Sequence, residues 1–204
     1  MAKKTGVGTA LGFLNFIMTA IMAGVKSREE VDEIAALPVE TLKRLIDQFV
    51  QSLIVAVKMV KNIFPINIGG NRTTEQVVAA GNYSYSNSWI TSKNFPMRPR
   101  QGKREVILVD MPGDFTLVDA LAKLTELGLE QPVYEDGLFF GEQHPEKQRE
   151  APIMFPHEPV PDSDGYLSVV FLWSSGGGRR LALSLTGSRW FSNVRVAGVR
   201  KLPA

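Results

Sequence analysis

The clearest pattern in the chain is a stripe of apolar residues that recurs at steps of three or four between residues 39 and 63. That spacing places the side chains on one face of an α-helix. The stripe consists of Leu42, Leu45, Ile46, Phe49, Leu53, Val57 and Val60. Ser27 followed by Glu30 has the spacing of a capping box and predicts a shorter helix before it. The long helix needs an apolar partner, which is either an earlier helix of the same chain or the helices of other copies.

An uncharged run at residues 5–25 follows two lysines. Glycines, Asn15 and three threonines dilute this run relative to a membrane span or a signal peptide. We therefore expect a buried or oligomer-facing helix, with membrane contact or targeting as the alternative. Residues 1–64 are predicted to be a helical region that tethers or oligomerises the protein, and whose deletion to about residue 62 leaves the second half folded.

The periodicity breaks at residues 65–103, where glycine, asparagine and proline become frequent. This stretch is predicted to be a loop-rich linker with one short helix at residues 74–80. Tyr83, Tyr85 and Trp89 are predicted to be scattered anchors onto a neighbouring surface. An aromatic platform for nucleic acid would need these rings on a sheet beside basic residues, and the sequence fixes no such arrangement.

Residues 104–204 carry patterns of both helices and strands, so the fold class is predicted to be α+β. A strand is expected at residues 105–110 and a helix at 117–127, where Thr116 and Asp119 are spaced as a reciprocal cap and Gly128 ends the helix. The other predicted elements are a helix at 133–143 and strands at 153–155, 167–173, 180–185 and 194–200. Between the strands lie Pro, Asp-Gly and triple-Gly turns.

This order of elements resembles the C-type lectin fold in its cysteine-free form. In the branch that includes the formylglycine-generating enzymes, the domain ends in a strand of the Phe-Arg-x-x-x-Arg kind. Here Val194-Arg195 stand in the first two places, and Arg200 comes one residue after the last. More specifically, the chain resembles the variable proteins of diversity-generating retroelements, whose C-terminal segment is rewritten by adenine-directed mutagenesis on a C-type lectin scaffold. The segments that carry the resemblance are GEQHPEKQRE at 141–150, Pro152-Ile153 and the tail 181–201, within a half of the chain at 104–204.

The residue types of the tail fit what the resemblance implies. Randomising an asparagine codon at its adenines enriches a segment in Asn, Ser, Gly, Arg, Asp and Tyr. The predicted ligand-binding residues are Trp173, Ser174, Ser175, Arg179, Ser184, Thr186, Gly187, Ser188, Arg189, Ser192 and Asn193. The alternative is an ordinary hairpin with a flexible glycine loop, since turn chemistry alone produces the same composition.

Alternation of apolar and polar residues in the tail predicts which side chains are buried. The expected core residues are Leu181, Leu183, Trp190, Val196 and Val199. The residues expected to be exposed on one contiguous face are Ser175, Arg179, Thr186, Ser188, Arg189 and Ser192.

Composition narrows the chemistry further. Lysine and arginine total 23 against 21 acidic residues, a formal net charge of +2, so no nucleic-acid partner is expected. The absence of cysteine excludes disulfides and thiolate metal sites. It also excludes the catalytic role of the formylglycine-generating enzymes, which need cysteines.

Other motifs of catalysis or metal binding are incomplete. His144 and His157 match no zinc signature, and the run 176–180 lacks the Lys-Ser/Thr that completes a nucleotide loop. Calcium-binding lectins use Glu-Pro-Asn or Gln-Pro-Asp loops with a Trp-Asn-Asp strand, whereas Glu158-Pro159 precedes Val160 and no Trp-Asn-Asp occurs. We therefore predict no catalytic residue, no metal and no cofactor.

These observations favour a non-enzymatic binding protein whose hypervariable C-terminal surface recognises an unknown protein or small molecule. Its N-terminal helices are expected to support a homo-oligomer. The alternative is a structural or assembly protein of a virion or cell surface, whose C-terminal sheet packs against another subunit. The sequence indicates no cellular compartment, apart from the cell surface or virion that this alternative implies.

Overall fold

The structure, a computed structural model, describes Glu33 and residues 36–99 and 102–200. The chain divides into two compact units, Met1–Val55 and Ala56–Ala204. The uncharged run at 5–25 and the capping box at Ser27 lie outside the described residues.

The long helix predicted from the apolar stripe is confirmed as α1, Val39–Lys61. Pro38 precedes it, and the carbonyl oxygen of Pro38 accepts hydrogen bonds from the backbone N–H groups of Thr41 and Leu42. Four residues of its apolar stripe are exposed, Leu45, Ile46, Phe49 and Val57, and so are the neighbouring Val50 and Ile54. Among the helices that the structure describes, none is long and apolar enough to cross a membrane.

The second unit is built on a nine-stranded mixed sheet, which confirms the α+β class. Its strands are β1 Ile63–Ile68, β2 Tyr85–Ser86, β3 Gly102–Asp110, β4 Leu129–Glu130, β5 Ile153–Met154, β6 Val160–Pro161, β7 Leu167–Ser175, β8 Gly178–Leu185 and β9 Arg195–Arg200. The strand order is β1-β3-β9-β5-β7-β8-β2, with β4 paired to β9 and β6 to β7. The helices that accompany the sheet are α2 Thr74–Ala80, α3 Leu117–Glu126, α4 Tyr134–Gln143 and the short α5 Lys147–Glu150.

Each face of the sheet buries its own apolar cluster, because neighbouring residues of a strand point to opposite sides. One cluster joins Val106, Val170 and Leu172 of the strands to Phe139 and Phe140 of α4. The other joins Ile107 and Val169 to Ala120 and Leu124 of α3 and to Trp190. The two clusters make a three-layer arrangement of α4, sheet and α3.

The prediction that residues 65–103 form a loop-rich linker is wrong. β1 pairs with β3 over six residues, and β2 adds a parallel strand beside β8. Ile66, Val77 and Phe95 are fully buried in the core next to α4. This segment belongs to the folded second unit, because its apolar side chains pack into the core cluster beside α4.

Two helices within residues 104–204, α3 and α4, were predicted with nearly their observed bounds. Thr116 and Asp119 form the reciprocal cap of α3, and Gly128 has a φ of 66°, a left-handed conformation that suits glycine after a helix. Glycine in the middle of α4 reflects close packing. A Cβ atom at Gly141 would lie 1.9 Å from the Tyr83 hydroxyl, so only glycine fits there without a rearrangement.

Candidate binding surface

The β7–β8 hairpin carries most of the predicted ligand-binding residues. Its two strands are joined by a tight turn at Gly176 and Gly177, which have φ values of 57° and 77°. Positive φ at both central residues is the geometry of a two-residue hairpin turn and explains the glycine run. The turn is therefore a structural connection between paired strands, with Ser175 directly opposite Gly178.

Strand register decides which of these residues reach the surface. Trp173 lies opposite Arg180, and Ser174 lies opposite Arg179. Arg179 shares its side of β8 with buried Leu181, whereas Arg180 points the other way with Ala182.

The prediction that Arg179 is exposed is wrong, since only 6% of this residue is accessible. Its guanidinium donates hydrogen bonds to the carbonyl oxygens of Gly81 and Gly141 and to Oε1 of Gln148, the last at 3.1 Å. It also lies 4.6 Å from the centre of the Tyr83 ring. Burial lowers the pKa of Arg179 from its ordinary value, and backbone carbonyls rather than a carboxylate accept its hydrogen bonds. Arg179 connects α2, α4 and α5 to the sheet and is a structural residue.

Gln148 completes this buried hydrogen-bond network. Its side-chain Nε2 donates to the carbonyl oxygens of Trp173 at 2.6 Å and Arg180 at 3.0 Å. The network fixes the backbone of both strands directly beneath the outer face of the hairpin. Gln148 belongs to the segment that carries the family resemblance, but a buried role was not predicted for it.

On the outer face, three adjacent strands align a tyrosine, an arginine and a tryptophan. Tyr85 of β2 pairs with Arg180 of β8, which in turn pairs with Trp173 of β7. The Arg180 Cζ atom lies 5.0 Å from the centre of the Trp173 ring and 5.9 Å from that of Tyr85. We call this set the aromatic row. Tyr85 is 48% exposed, and Trp173 and Arg180 are half-buried.

Ser175 and Ser184 point to the same side of the hairpin as the aromatic row. Ser175 is exposed at the turn, whereas Ser184 accepts a 3.0 Å hydrogen bond from Trp190 Nε1. Ser174 is half-buried on the opposite side. The aromatic row is thus bordered by small polar residues at the turn end and by Trp190 at the other.

The remaining predicted residues lie in the connection between β8 and β9. Thr186, Gly187 and Ser188 line an open cavity of about 340 Å³ together with Tyr166, Leu167 and Leu185. Arg189, Ser192 and Asn193 are exposed beyond it. This connection is tied down, because Trp190 and Phe115 exchange backbone hydrogen bonds and Ser192 N donates to Asp114 Oδ1 at 3.0 Å.

The predicted residues therefore do not form a single cluster. Ser175 and Thr186 lie at opposite ends of β8, which spans roughly 24 Å for eight residues in a strand. The predicted core residues Leu181, Trp190, Val196 and Val199 are confirmed as buried, and Leu183 is partly buried. Ser175, Arg189 and Ser192 are confirmed as exposed, and Thr186 and Ser188 are intermediate.

The acidic residues of α4 are held in ion pairs with arginines. Glu135 binds Arg98 through two short hydrogen bonds, and Asp136 binds Arg104 in the same bidentate way. Burial raises the pKa of Asp136 despite the arginine beside it. A second cavity of about 320 Å³, between the β1–α2 connection and α4, is lined by Arg72 and Arg98, and both of these are paired with glutamates.

His157 is a structural residue. Its Nε2 accepts a 2.9 Å hydrogen bond from Val170 N, so Nδ1 carries the proton and donates to the carbonyl oxygen of Glu158 at 2.6 Å. Burial lowers the pKa of His157 from 6.5 to about 4, which keeps the ring neutral. Within residues 33, 36–99 and 102–200, no group of three or more metal-ligating side chains comes together.

No protein-family model, no curated protein and no solved structure matches the chain.

Proposed function

We propose that this chain is a non-enzymatic binding protein that recognises a partner protein through the outer face of the β7–β8 hairpin. The observation that carries the proposal is the aromatic row, in which an arginine lies between two aromatic rings on an open sheet face. Tryptophan, tyrosine and arginine are the residues in which binding energy concentrates at protein interfaces. Paired strands and the buried Arg179–Gln148 network hold these side chains in place, which lowers the entropy cost of binding.

We further propose that the domain is a C-type lectin-like domain of the kind found in variable proteins of diversity-generating retroelements. The order of strand, two helices and a closing group of strands supports this, as does the segment at 141–150, whose Gln148 holds the hairpin backbone. Exposed serine, glycine and arginine at the turn and in the β8–β9 connection are the residue types that adenine-directed mutagenesis produces.

One observation favours a second function, assembly with other copies. The residues Val39, Leu42, Ile46, Phe49, Leu53, Ala56 and Val60 of α1 follow alternating steps of three and four, which is the repeat of a coiled coil. Sedimentation of the full chain and of an Ile46→Glu, Phe49→Glu variant tests it. The second function predicts a defined oligomer for the full chain and a monomer for the variant.

Peptide selection tests the binding surface directly. The full chain is immobilised and a phage-displayed random dodecapeptide library is selected on it. We expect peptides that bind the full chain but bind at least tenfold more weakly to Trp173→Ser and to Tyr85→Ser. Val118→Ser is the matched control, because Val118 is 74% exposed on α3 and is not part of the β7–β8 hairpin.

Denaturation curves of each variant first establish that it is folded. Peptides that depend on Trp173 and Tyr85 but not on Val118 support the proposal. A library that yields no such peptide, or peptides lost equally in all three variants, contradicts it.

A further inference from the structure

Arg180 differs from the other arginines of the second unit. Within residues 63–99 and 102–200, each of the other eight arginines either pairs with a carboxylate or donates to a carbonyl oxygen. The paired ones are Arg72, Arg98, Arg104, Arg149, Arg195 and Arg200, and those bonded to carbonyls are Arg179 and Arg189. Arg180 makes no side-chain hydrogen bond or ion pair with the described residues, and its buried Nε has no acceptor.

The surroundings of Arg180 hold its guanidinium in one place. The rings of Trp173 and Tyr85 lie beside it, and the carbonyl oxygen of Arg180 is bound by Gln148 Nε2. Such contacts are favourable for a cation, but they satisfy none of its hydrogen-bond donors. The terminal Nη groups are not among the buried unpaired atoms of the described residues and so remain accessible at the surface.

We propose that Arg180 is the anchor for a carboxylate of the partner protein, an aspartate or glutamate side chain flanked by apolar residues. The inference rests on the proposed binding function and specifies its partner. A guanidinium presents parallel N–H donors that match the two oxygens of a carboxylate. The rings on either side supply apolar surface for the neighbouring residues of the partner and shield the ion pair from water.

The charge pattern favours a protein over a nucleic acid. Nucleic-acid binding draws its affinity from several cations that neutralise phosphates. Among the described residues of the second unit, Arg180 is the one arginine without a hydrogen-bond or ion-pair partner, and it lies against the rings on which a base would have to stack. An acidic side chain needs only this one cation.

The peptides selected on the full chain supply the probe for the test. A selected peptide is synthesised with its acidic residue and again with the matching amide, Glu→Gln or Asp→Asn. Calorimetry then measures the Kd of both peptides for the full chain and for Arg180→Met, which keeps an unbranched apolar side chain. A fluorescently labelled fifteen-residue oligothymidylate is titrated into both proteins by anisotropy.

We expect the amide to raise Kd roughly tenfold or more for the natural protein. We also expect the same rise on Arg180→Met with the acidic peptide, and little further rise when both changes are combined, because the two groups interact directly.

Peptides that require Trp173 but bind equally well as acid or amide overturn the inference and leave the binding function standing. Additive effects of the two changes overturn it as well. A selection without Trp173-dependent peptides removes the binding function and the inference together. Oligothymidylate binding that is lost in Arg180→Met overturns the inference in favour of a nucleic-acid partner.

Discussion

Two consecutive arginines in β8 have opposite environments because side chains alternate across a strand. Arg179 points into the core beneath α4, and Arg180 points to the open face. The same alternation that predicts a buried Leu181 places Arg179 on the buried side. The signal for its burial was therefore in the sequence, but the usual preference of arginine for the surface outweighed it.

Replacing these two arginines separately should have unequal effects on the free energy of unfolding. Arg179→Met removes three hydrogen bonds and leaves the carbonyl oxygens of Gly81 and Gly141 without that donor, so we expect a loss of about 3 kcal/mol. Arg180→Met should change stability by less than about 1 kcal/mol, because its side chain has no hydrogen bond to lose. Urea denaturation of the full chain measures both. Equal losses would show that the two side chains share one environment.

His157 should make stability depend on pH in a defined window. The pKa of His157 is about 4 in the folded chain, against an ordinary value of 6.5. Between pH 6.5 and pH 4 the ring is therefore protonated in the unfolded chain and neutral in the folded one. The free energy of unfolding consequently falls as the pH falls through this window. From pH 7.5 to 5.5 the loss is about 1 kcal/mol. The raised pKa of Asp136 acts in the opposite direction, so the informative quantity is the difference from a variant.

His157→Gln keeps an acceptor for Val170 N and removes the titrating ring. Between pH 7.5 and 5.5, the free energy of unfolding of the variant should fall by about 1 kcal/mol less than that of the natural chain. Denaturation curves at both pH values provide the comparison. Identical pH dependence of the two proteins would mean that the pKa of His157 is the same in the folded and the unfolded chain, and would contradict this account.

At the scale of elements, local signals predicted much of the fold. Caps, turns and apolar periodicity within single segments gave α1, α2, α3, α4 and the long strands β3, β7, β8 and β9. The strands that were missed are β1, β2, β4 and β6. Three of these have only two residues, too few for a pattern, and β1 contains Pro65 and is followed by two glycines.

The candidate site was predicted only in part for a similar reason. Trp173 and Ser175 lie in the segment that the tail composition singled out. The aromatic row also contains Tyr85, which lies about 90 residues before Trp173 in the chain. Tyr85 meets Arg180 only through the parallel pairing of β2 and β8. Pairing between distant segments leaves no local trace in a single sequence.

The role of β1 and α2 can be tested by truncation. A chain that begins at residue 62 keeps β1 and the buried side chains of residues 63–99, and we expect it to unfold cooperatively. A chain that begins at residue 103 loses Ile66, Val77 and Phe95 from the core, each worth roughly 1.5–3 kcal/mol when buried, and should not fold. Circular dichroism and urea denaturation distinguish the two. A stable, cooperatively folded chain from residue 103 would restore the view that residues 65–103 are a linker.

At the scale of the whole molecule, the proposed function assigns two tasks to neighbouring residues of one hairpin. One set of side chains holds the sheet to α4 and α5, and the other set meets the partner. A surface rewritten by targeted mutagenesis must leave the first set unchanged, because exposed substitutions usually cost within about 0.5 kcal/mol, whereas loss of a large buried aromatic costs about 3–5 kcal/mol.

The most direct test of this division is deep sequencing of the gene segment that encodes residues 173–193, across a large population of cells. Amino-acid changes should concentrate in the codons of the accessible residues Trp173, Ser175, Ser188, Arg189, Ser192 and Asn193. The codons of buried Arg179, Leu181 and Trp190 should stay constant, although they lie between the variable ones. Changes spread evenly over both groups, or no excess variation in this segment, would contradict a diversified binding surface.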